Sequence, residues 1–113
     1  MIKIYHNNRC SKSRNGLQIV EQSGKPFEVI KYLEDVPSEK ELKNIIRLLG
    51  IKPIDLVRKN EAIWKADYKE KDLSDAEIIK AMVENPKLIE RPIVINSNKA
   101  VIGRPPEAIL DII

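Results

Sequence analysis

The sequence predicts an α/β fold in which a four-stranded mixed sheet is flanked by helices, and three observations support this class. A strand–helix–strand pattern fills the first third of the chain, helical patterns fill the middle, and two short apolar strands precede a final helix. Strands that alternate with helices favour a sheet covered by helices. The 113 residues, 42% of them hydrophobic, suffice for the core of one domain.

The N-terminal third has the pattern of a β-α-β unit. The predicted strands cover residues 2–5 and 27–33. The helix between them has Ser11 or Ser13 as its predicted N-cap. It ends by Gly24, which can supply a left-handed C-cap.

Two capping boxes begin helices in the middle of the chain. Ser38 and Ser74 are each followed three residues later by glutamate, so that both side chains can satisfy free backbone N–H groups. The first of these helices ends at Gly50, and a shorter helix is predicted to start at Pro53.

The C-terminal third predicts a β-hairpin and a last helix. The predicted strands are residues 92–95 and 100–102, the turn is residues 96–98, and Pro105 opens the helix. The complete order is β-α-β, a helical insertion at about residues 38–88, and β-β-α. This is the thioredoxin-like arrangement, and we predict that residues 1–113 form a single domain of this type.

Composition excludes several classes of protein. The net charge of +3 is too small a surplus to indicate nucleic-acid or membrane binding. No segment approaches the roughly 18 consecutive apolar residues of a membrane span, so we expect a soluble, cytoplasmic protein. One cysteine and one histidine are too few for a structural zinc site, which takes about four such ligands, so we predict no metal.

Cys10 is the first candidate for chemistry, because it lies where a strand and loop lead into the start of a helix. The free N–H groups and positive dipole at a helix N-terminus favour the thiolate. Arg9, Lys12 and Arg14 add positive charge around it. A buried structural cysteine is the alternative, but the polar neighbours fit it poorly.

Two further residues are predicted to tune this thiol. Ser13 could donate a hydrogen bond to the sulfur, and His6, four residues upstream of Cys10, could make a second electrostatic contact. Because position 13 is serine, the C-x-x-C pair of a dithiol oxidoreductase is absent. Any redox cycle must therefore take its second thiol from another molecule.

Three arginines stand apart from the general background of surface charge. Arg58 follows a short apolar helix, and Arg91 and Arg104 each precede a proline, which makes both of them chain corners. The guanidinium fork suits tetrahedral oxyanions such as phosphate. Each arginine taken singly also fits an ordinary surface position.

Four sequence blocks, in order, resemble the successive motifs of the glutaredoxin-coupled arsenate reductases, the ArsC family. They are residues 6–15 (HNNRCSKSRN), 56–60 (LVRKN), 89–94 (IERPIV) and 103–105 (GRP). The resemblance covers nearly the whole chain and implies a thioredoxin-like fold with a helical insertion. It also implies a cis peptide bond between Arg91 and Pro92.

The same resemblance implies a reaction and a set of roles. Cys10 would be the nucleophile that attacks arsenate, and Arg58, Arg91 and Arg104 would hold the oxyanion. His6 and Ser13 would tune the thiol. Glutathione would be the co-substrate, glutaredoxin would reset the cysteine, and no bound cofactor is expected.

Two alternatives come from relatives of the same fold. One is an Spx-like regulator that binds RNA polymerase without turnover, although its C-x-x-C switch is ruled out here by Ser13. The other is a glutathione-dependent thiol reductase that acts on a different substrate. We expect no direct contact with nucleic acid or with a membrane.

Overall fold

The computed structural model describes residues 1–113 and contains the predicted four-stranded mixed sheet with helices. The strands are β1 (Ile2–Tyr5), β2 (Phe27–Ile30), β3 (Ile93–Asn96) and β4 (Lys99–Ile102). The helices are α1 (Ser11–Gln22), α2 (Glu39–Leu49), α3 (Ala62–Asp67) and α4 (Asp75–Glu84), with 3₁₀ turns at Pro53–Leu56, Pro86–Leu88 and Pro106–Asp111. The strand order is β2-β1-β3-β4; β1 and β2 are parallel, and the other pairs are antiparallel.

The chain forms two compact units. The first comprises residues 1–35 and 91–113 and contains the sheet and α1, and the second comprises residues 36–90 and contains α2, α3 and α4. The helical insertion expected at about residues 38–88 lies within the second unit. None of the helices combines the length and apolar character needed to cross a membrane.

The core of the first unit lies between the sheet, α1 and the C-terminal 3₁₀ turn. Its buried members are Ile2, Ile4, Val20, Val94 and Ile109. Ile2 and Ile4 share a face because side chains alternate along a strand. Burying each such side chain stabilises the fold by about 1.5–3 kcal/mol, so this cluster fixes α1 against the sheet.

Two glycines allow Pro92 to approach α1 closely. A Cβ atom placed on Gly16 or on Gly103 would lie 2.9 Å from Pro92 Cγ and 3.0 Å from Ile109 Cδ1, closer than real Cβ contacts allow. Glycine at both positions therefore lets Pro92 and Ile109 pack closely against α1 at Gly16 and against the chain after β4 at Gly103. The Arg91–Pro92 bond is cis, as expected, and the bond between Arg104 and Pro105, for which no expectation was made, is also cis.

Both capping boxes in the second unit are confirmed. The Oγ atoms of Ser38 and Ser74 accept hydrogen bonds from the N–H groups three residues later, at 3.1 and 3.2 Å. Gly50 takes the left-handed C-cap conformation, with φ of 68°. Helix α3 was not predicted, because six residues with one buried side chain, Trp64, give little helical periodicity.

Several elements differ from the sequence prediction, and β3 and β4 do so by only one residue at their ends. Strand β2 ends at Ile30 rather than at residue 33, because the Lys31 carbonyl accepts hydrogen bonds from two following N–H groups and turns the chain. The last helix is a 3₁₀ helix of six residues. The predicted N-cap of α1 was wrong: Cys10, not Ser11 or Ser13, occupies that position.

Candidate active site

Cys10 lies between the end of β1 and the first turn of α1. Its backbone is extended, with φ of −99° and ψ of 122°. Its N–H donates to Asn7 O at 3.0 Å, and its carbonyl accepts from Arg14 N at 3.0 Å. The thiol is partly exposed and is not in a disulfide. The loop therefore presents the sulfur at the helix N-terminus, as the sequence predicted.

Two asparagines hold this loop, and sequence reasoning did not assign them a role. Asn7 Oδ1 accepts a hydrogen bond from Arg9 N at 3.0 Å, and Asn8 O accepts one from Arg14 Nη1 at 3.0 Å. Asparagine favours such a turn at position 7 because its side chain binds a nearby backbone N–H, whereas Asn8 contributes its backbone carbonyl. Asn7, directly after a strand, was the available signal.

The environment of Cys10 lowers the pKa of its thiol. Burial by itself raises this pKa, but the backbone N–H of Ser13, the charge of Arg91, the backbone N–H of Lys12 and a side-chain hydrogen bond from Arg91 together outweigh burial. Each of these four contacts stabilises negative charge on the sulfur. The principal cation is therefore Arg91, and not the Arg9, Lys12 and Arg14 side chains that the sequence suggested.

His6 and Ser13 form a buried polar pair behind the loop. Ser13 Oγ lies 2.7 Å from His6 Nδ1 and accepts a hydrogen bond from Asn7 N at 3.0 Å. The structure thus differs from the expectation that the Ser13 hydroxyl contacts the sulfur, because that hydroxyl contacts His6. Ser13 acts on Cys10 through its backbone N–H instead.

The charge state of His6 follows from its surroundings. Burial lowers its pKa, a hydrogen bond with Ser13 opposes that change, and the positive charges of Lys31 and Arg14 lower the pKa further. These effects favour the neutral form of the ring. The contact that the structure shows for His6 is with Ser13.

Arg91 and Arg104 both reach Cys10. Arg91 acts on the thiol through its charge and through a side-chain hydrogen bond. Arg104 Nη2 lies 3.9 Å from Cys10 Sγ, and its Nε donates to Arg91 O at 2.8 Å. A backbone hydrogen bond of 2.9 Å from Gly103 N to Pro92 O ties the two chain corners together. The first unit therefore brings two predicted arginines to the predicted nucleophile.

The other predicted site arginines have local partners. Arg58, in the second unit, pairs with Glu61 Oε1 at 2.9 Å and donates to Lys87 O at 3.3 Å. Its role toward an oxyanion stays a prediction. Arg14 is exposed and binds the loop carbonyl of Asn8, so it supports the loop and the neutral state of His6.

The arrangement can perform nucleophilic chemistry on an anion. A thiolate is the reactive form of cysteine, and two guanidinium groups beside it can neutralise an anionic electrophile and the charge that develops as the sulfur attacks. No cluster of three or more histidine, cysteine or carboxylate side chains is placed to hold a metal ion.

We expect the Cys10 thiol to titrate below the value of about 8.5 for a free cysteine. The thiolate fraction should rise with pH and reach its plateau at a lower pH than in a model peptide, because the folded-state pKa is depressed. Absorbance of the thiolate near 240 nm, followed against pH, measures this midpoint. A midpoint at or above the free-thiol value would show that the thiol is not activated.

The sheet topology and a free cysteine at the N-cap of the helix after β1 define a thioredoxin-like protein with a single thiol at the start of that helix. The chain belongs to the ArsC family, whose sequence profile matches residues 5–112. It is 45% identical over 112 residues to an arsenate reductase of Haemophilus influenzae, with 97% of each chain covered. It is 44% identical to YfgD of Escherichia coli K12, a protein described as uncharacterised, over 99% of this chain and 96% of that one.

Solved structures agree with this assignment. The fold superposes on an arsenate reductase from Vibrio cholerae with a TM-score of 0.94 and 45% sequence identity, over 99% of this chain and 97% of that one. Membership of the ArsC family and the mixed α/β fold are therefore confirmed. The expected single-domain organisation and the roles of the individual site residues stay predictions.

Proposed function

We propose that this protein is an enzyme, an oxidoreductase that reduces arsenate to arsenite with Cys10 as its single catalytic thiol. The observation that carries the proposal is the convergence of Arg91 and Arg104 on a cysteine whose pKa is lowered. The arsenate reductases among its relatives supply the substrate class. A general reductive role would need the activated thiol, but not two guanidinium groups beside it.

The first step is attack of the Cys10 thiolate on arsenic. A sulfur–arsenic bond forms, and one arsenate oxygen leaves as water after protonation. Arg91 and Arg104 offset the oxyanion charge, which they can do with paired N–H donors. Arginine suits this task better than lysine because its planar fork matches a tetrahedral oxyanion and stays charged at every relevant pH.

The second step supplies the remaining thiol. A glutathione thiolate attacks Cys10 Sγ, the sulfur–arsenic bond breaks, and its electron pair stays on arsenic, which is thereby reduced from As(V) to As(III). Arsenite leaves, and a mixed disulfide forms between Cys10 and glutathione. A glutaredoxin then restores the thiol by disulfide exchange. Such a cycle requires a reducing thiol pool, which places the proposed reaction in the cytoplasm.

Arsenite release in a reconstituted assay tests this function. Purified protein with arsenate, reduced glutathione and glutaredoxin should release arsenite over many turnovers, and omission of either thiol component should stop the cycle. Protein that binds arsenate yet releases no arsenite under these conditions would exclude the reductase. The Spx-like alternative would then be examined by pull-down of RNA polymerase.

A further inference from the structure

A cavity of about 290 Å³ opens beside the Cys10 loop, and the proposed arsenate step does not use it. We call it the side cavity, and it is lined by residues 6–9, Lys31, Leu33 and Glu34. Its volume lies near the lower end of the range of about 300–1,000 Å³ that is typical of small-molecule sites. All of its lining residues belong to the first unit.

The side cavity lies at the carboxyl ends of two adjacent parallel strands. One wall is the loop after β1, and the other is the turn after β2. The walls are joined by a hydrogen bond of 2.8 Å from His6 N to Ile30 O. The Lys31 carbonyl accepts a hydrogen bond from Glu34 N at 3.0 Å, so Lys31 and Glu34 belong to the same turn. In open α/β sheets, ligands bind at this edge.

The lining carries a mixed set of charges. Arg9 and Lys31 are cationic, Glu34 is anionic, and all three side chains are exposed to solvent. His6 is only 5% exposed and its Nδ1 is engaged by Ser13, so the neutral polar side chains of the lining are chiefly those of Asn7 and Asn8. A matching ligand has two anionic groups, one cationic group and a hydrogen-bonding group.

We propose that the side cavity binds the thiol donor of the reaction, a small peptide thiol that carries two carboxylates and one ammonium group, as glutathione does. This inference rests on the proposed function, because it gives the second step its binding site. The Arg9 and Lys31 cations face the carboxylates, and Glu34 faces the ammonium group. A tripeptide spans roughly 10 Å when extended, and the cavity wall formed by residues 6–9 ends one position before Cys10 in the chain.

The test uses disulfide exchange, which needs no arsenate. The Cys10 thiolate attacks glutathione disulfide, a mixed disulfide forms, and reduced glutathione leaves. Bis(2-hydroxyethyl) disulfide undergoes the same exchange without charged groups, so it reports the reactivity of the thiolate alone. Stopped-flow rates with mass spectrometry of the Cys10 adduct measure both reactions.

We expect the rate to saturate with glutathione disulfide and to rise linearly with the neutral disulfide. Lys31→Glu should lower the ratio of the two second-order rate constants roughly three- to tenfold, the size expected for a partly exposed charge contact that is lost and reversed. Lys3→Glu makes the same charge change on β1, outside the side cavity, and should leave the ratio within about twofold of the parent.

Three outcomes would overturn the assignment. They are a linear dependence on glutathione disulfide, an unchanged ratio in Lys31→Glu, and an equal fall in Lys3→Glu, which would indicate only a general effect of net charge. If Lys31→Glu reacts with the neutral disulfide at the parent rate, the Cys10 thiolate of that variant is intact. If instead the side cavity behaves as expected and no arsenite is released, the arsenate function fails while this site stands.

Discussion

Replacing Cys10 by serine is expected to abolish arsenate reduction, to below about one thousandth of the parent rate, as is typical when a covalent nucleophile is removed. The chain has no second cysteine, so no other side chain can form the sulfur–arsenic bond. A serine hydroxyl at this position stays protonated at neutral pH and cannot be oxidised to a disulfide. Arsenite release in the glutathione and glutaredoxin assay measures the loss.

The same substitution should leave the fold intact. Cys10 is partly exposed, and serine is a preferred N-cap residue that can accept a hydrogen bond from the first turn of α1. Far-UV circular dichroism and the melting temperature should therefore match those of the parent. Ser11→Ala, an exposed change at the next position, is the control and should keep both fold and turnover. Loss of helical signal in Cys10→Ser would instead indicate that the thiol has a structural role.

Local sequence patterns predicted most of the fold because each follows from short-range chemistry. The capping boxes at Ser38 and Ser74 and the left-handed Gly50 depend only on groups within one helical turn. The alternation of apolar and polar residues likewise predicted β1, in which Ile2 and Ile4 are buried on one face. Helix α3 was not predicted, because it is too short for a helical period of apolar residues to be recognised.

The sequence selected several residues that the structure brings together around Cys10, but it predicted some of their contacts wrongly. Sequence reasoning selected Cys10, Ser13 and Arg91, yet it assigned the sulfur contact to the Ser13 hydroxyl and the dominant charge to neighbours along the chain. The Ser13 hydroxyl is taken by His6, which lies 7 positions before it in the chain. The dominant charge comes from a residue far away in sequence, because Arg91 reaches the thiol from a corner 81 positions after Cys10. Local positive charge is a poor guide here because exposed side chains are screened by water.

Replacing Arg91 or Arg104 by alanine is expected to lower kcat/KM for arsenate by roughly 10- to 1,000-fold, from lost charge-assisted hydrogen bonds and transition-state stabilisation. Both guanidinium groups lie at Cys10, and the charge that develops as the thiolate attacks strengthens their contacts in the transition state. Arg47→Ala is the matched control, because Arg47 lies on the exposed face of α2 and pairs with Asn44 in the second unit. Its kcat/KM should equal that of the parent.

The activities of Arg91→Ala and Arg104→Ala should also differ in their dependence on pH. Arg91 lowers the Cys10 pKa, so Arg91→Ala should shift the thiolate titration upward and regain part of its activity as pH rises through the new midpoint. In Arg104→Ala we expect a loss that is nearly independent of pH, since its main effect is on the bound oxyanion. Arg104→Lys should recover only part of the rate, because lysine keeps the charge without the fork. Alanine variants of both arginines that reduce arsenate like the parent would eliminate the oxyanion site.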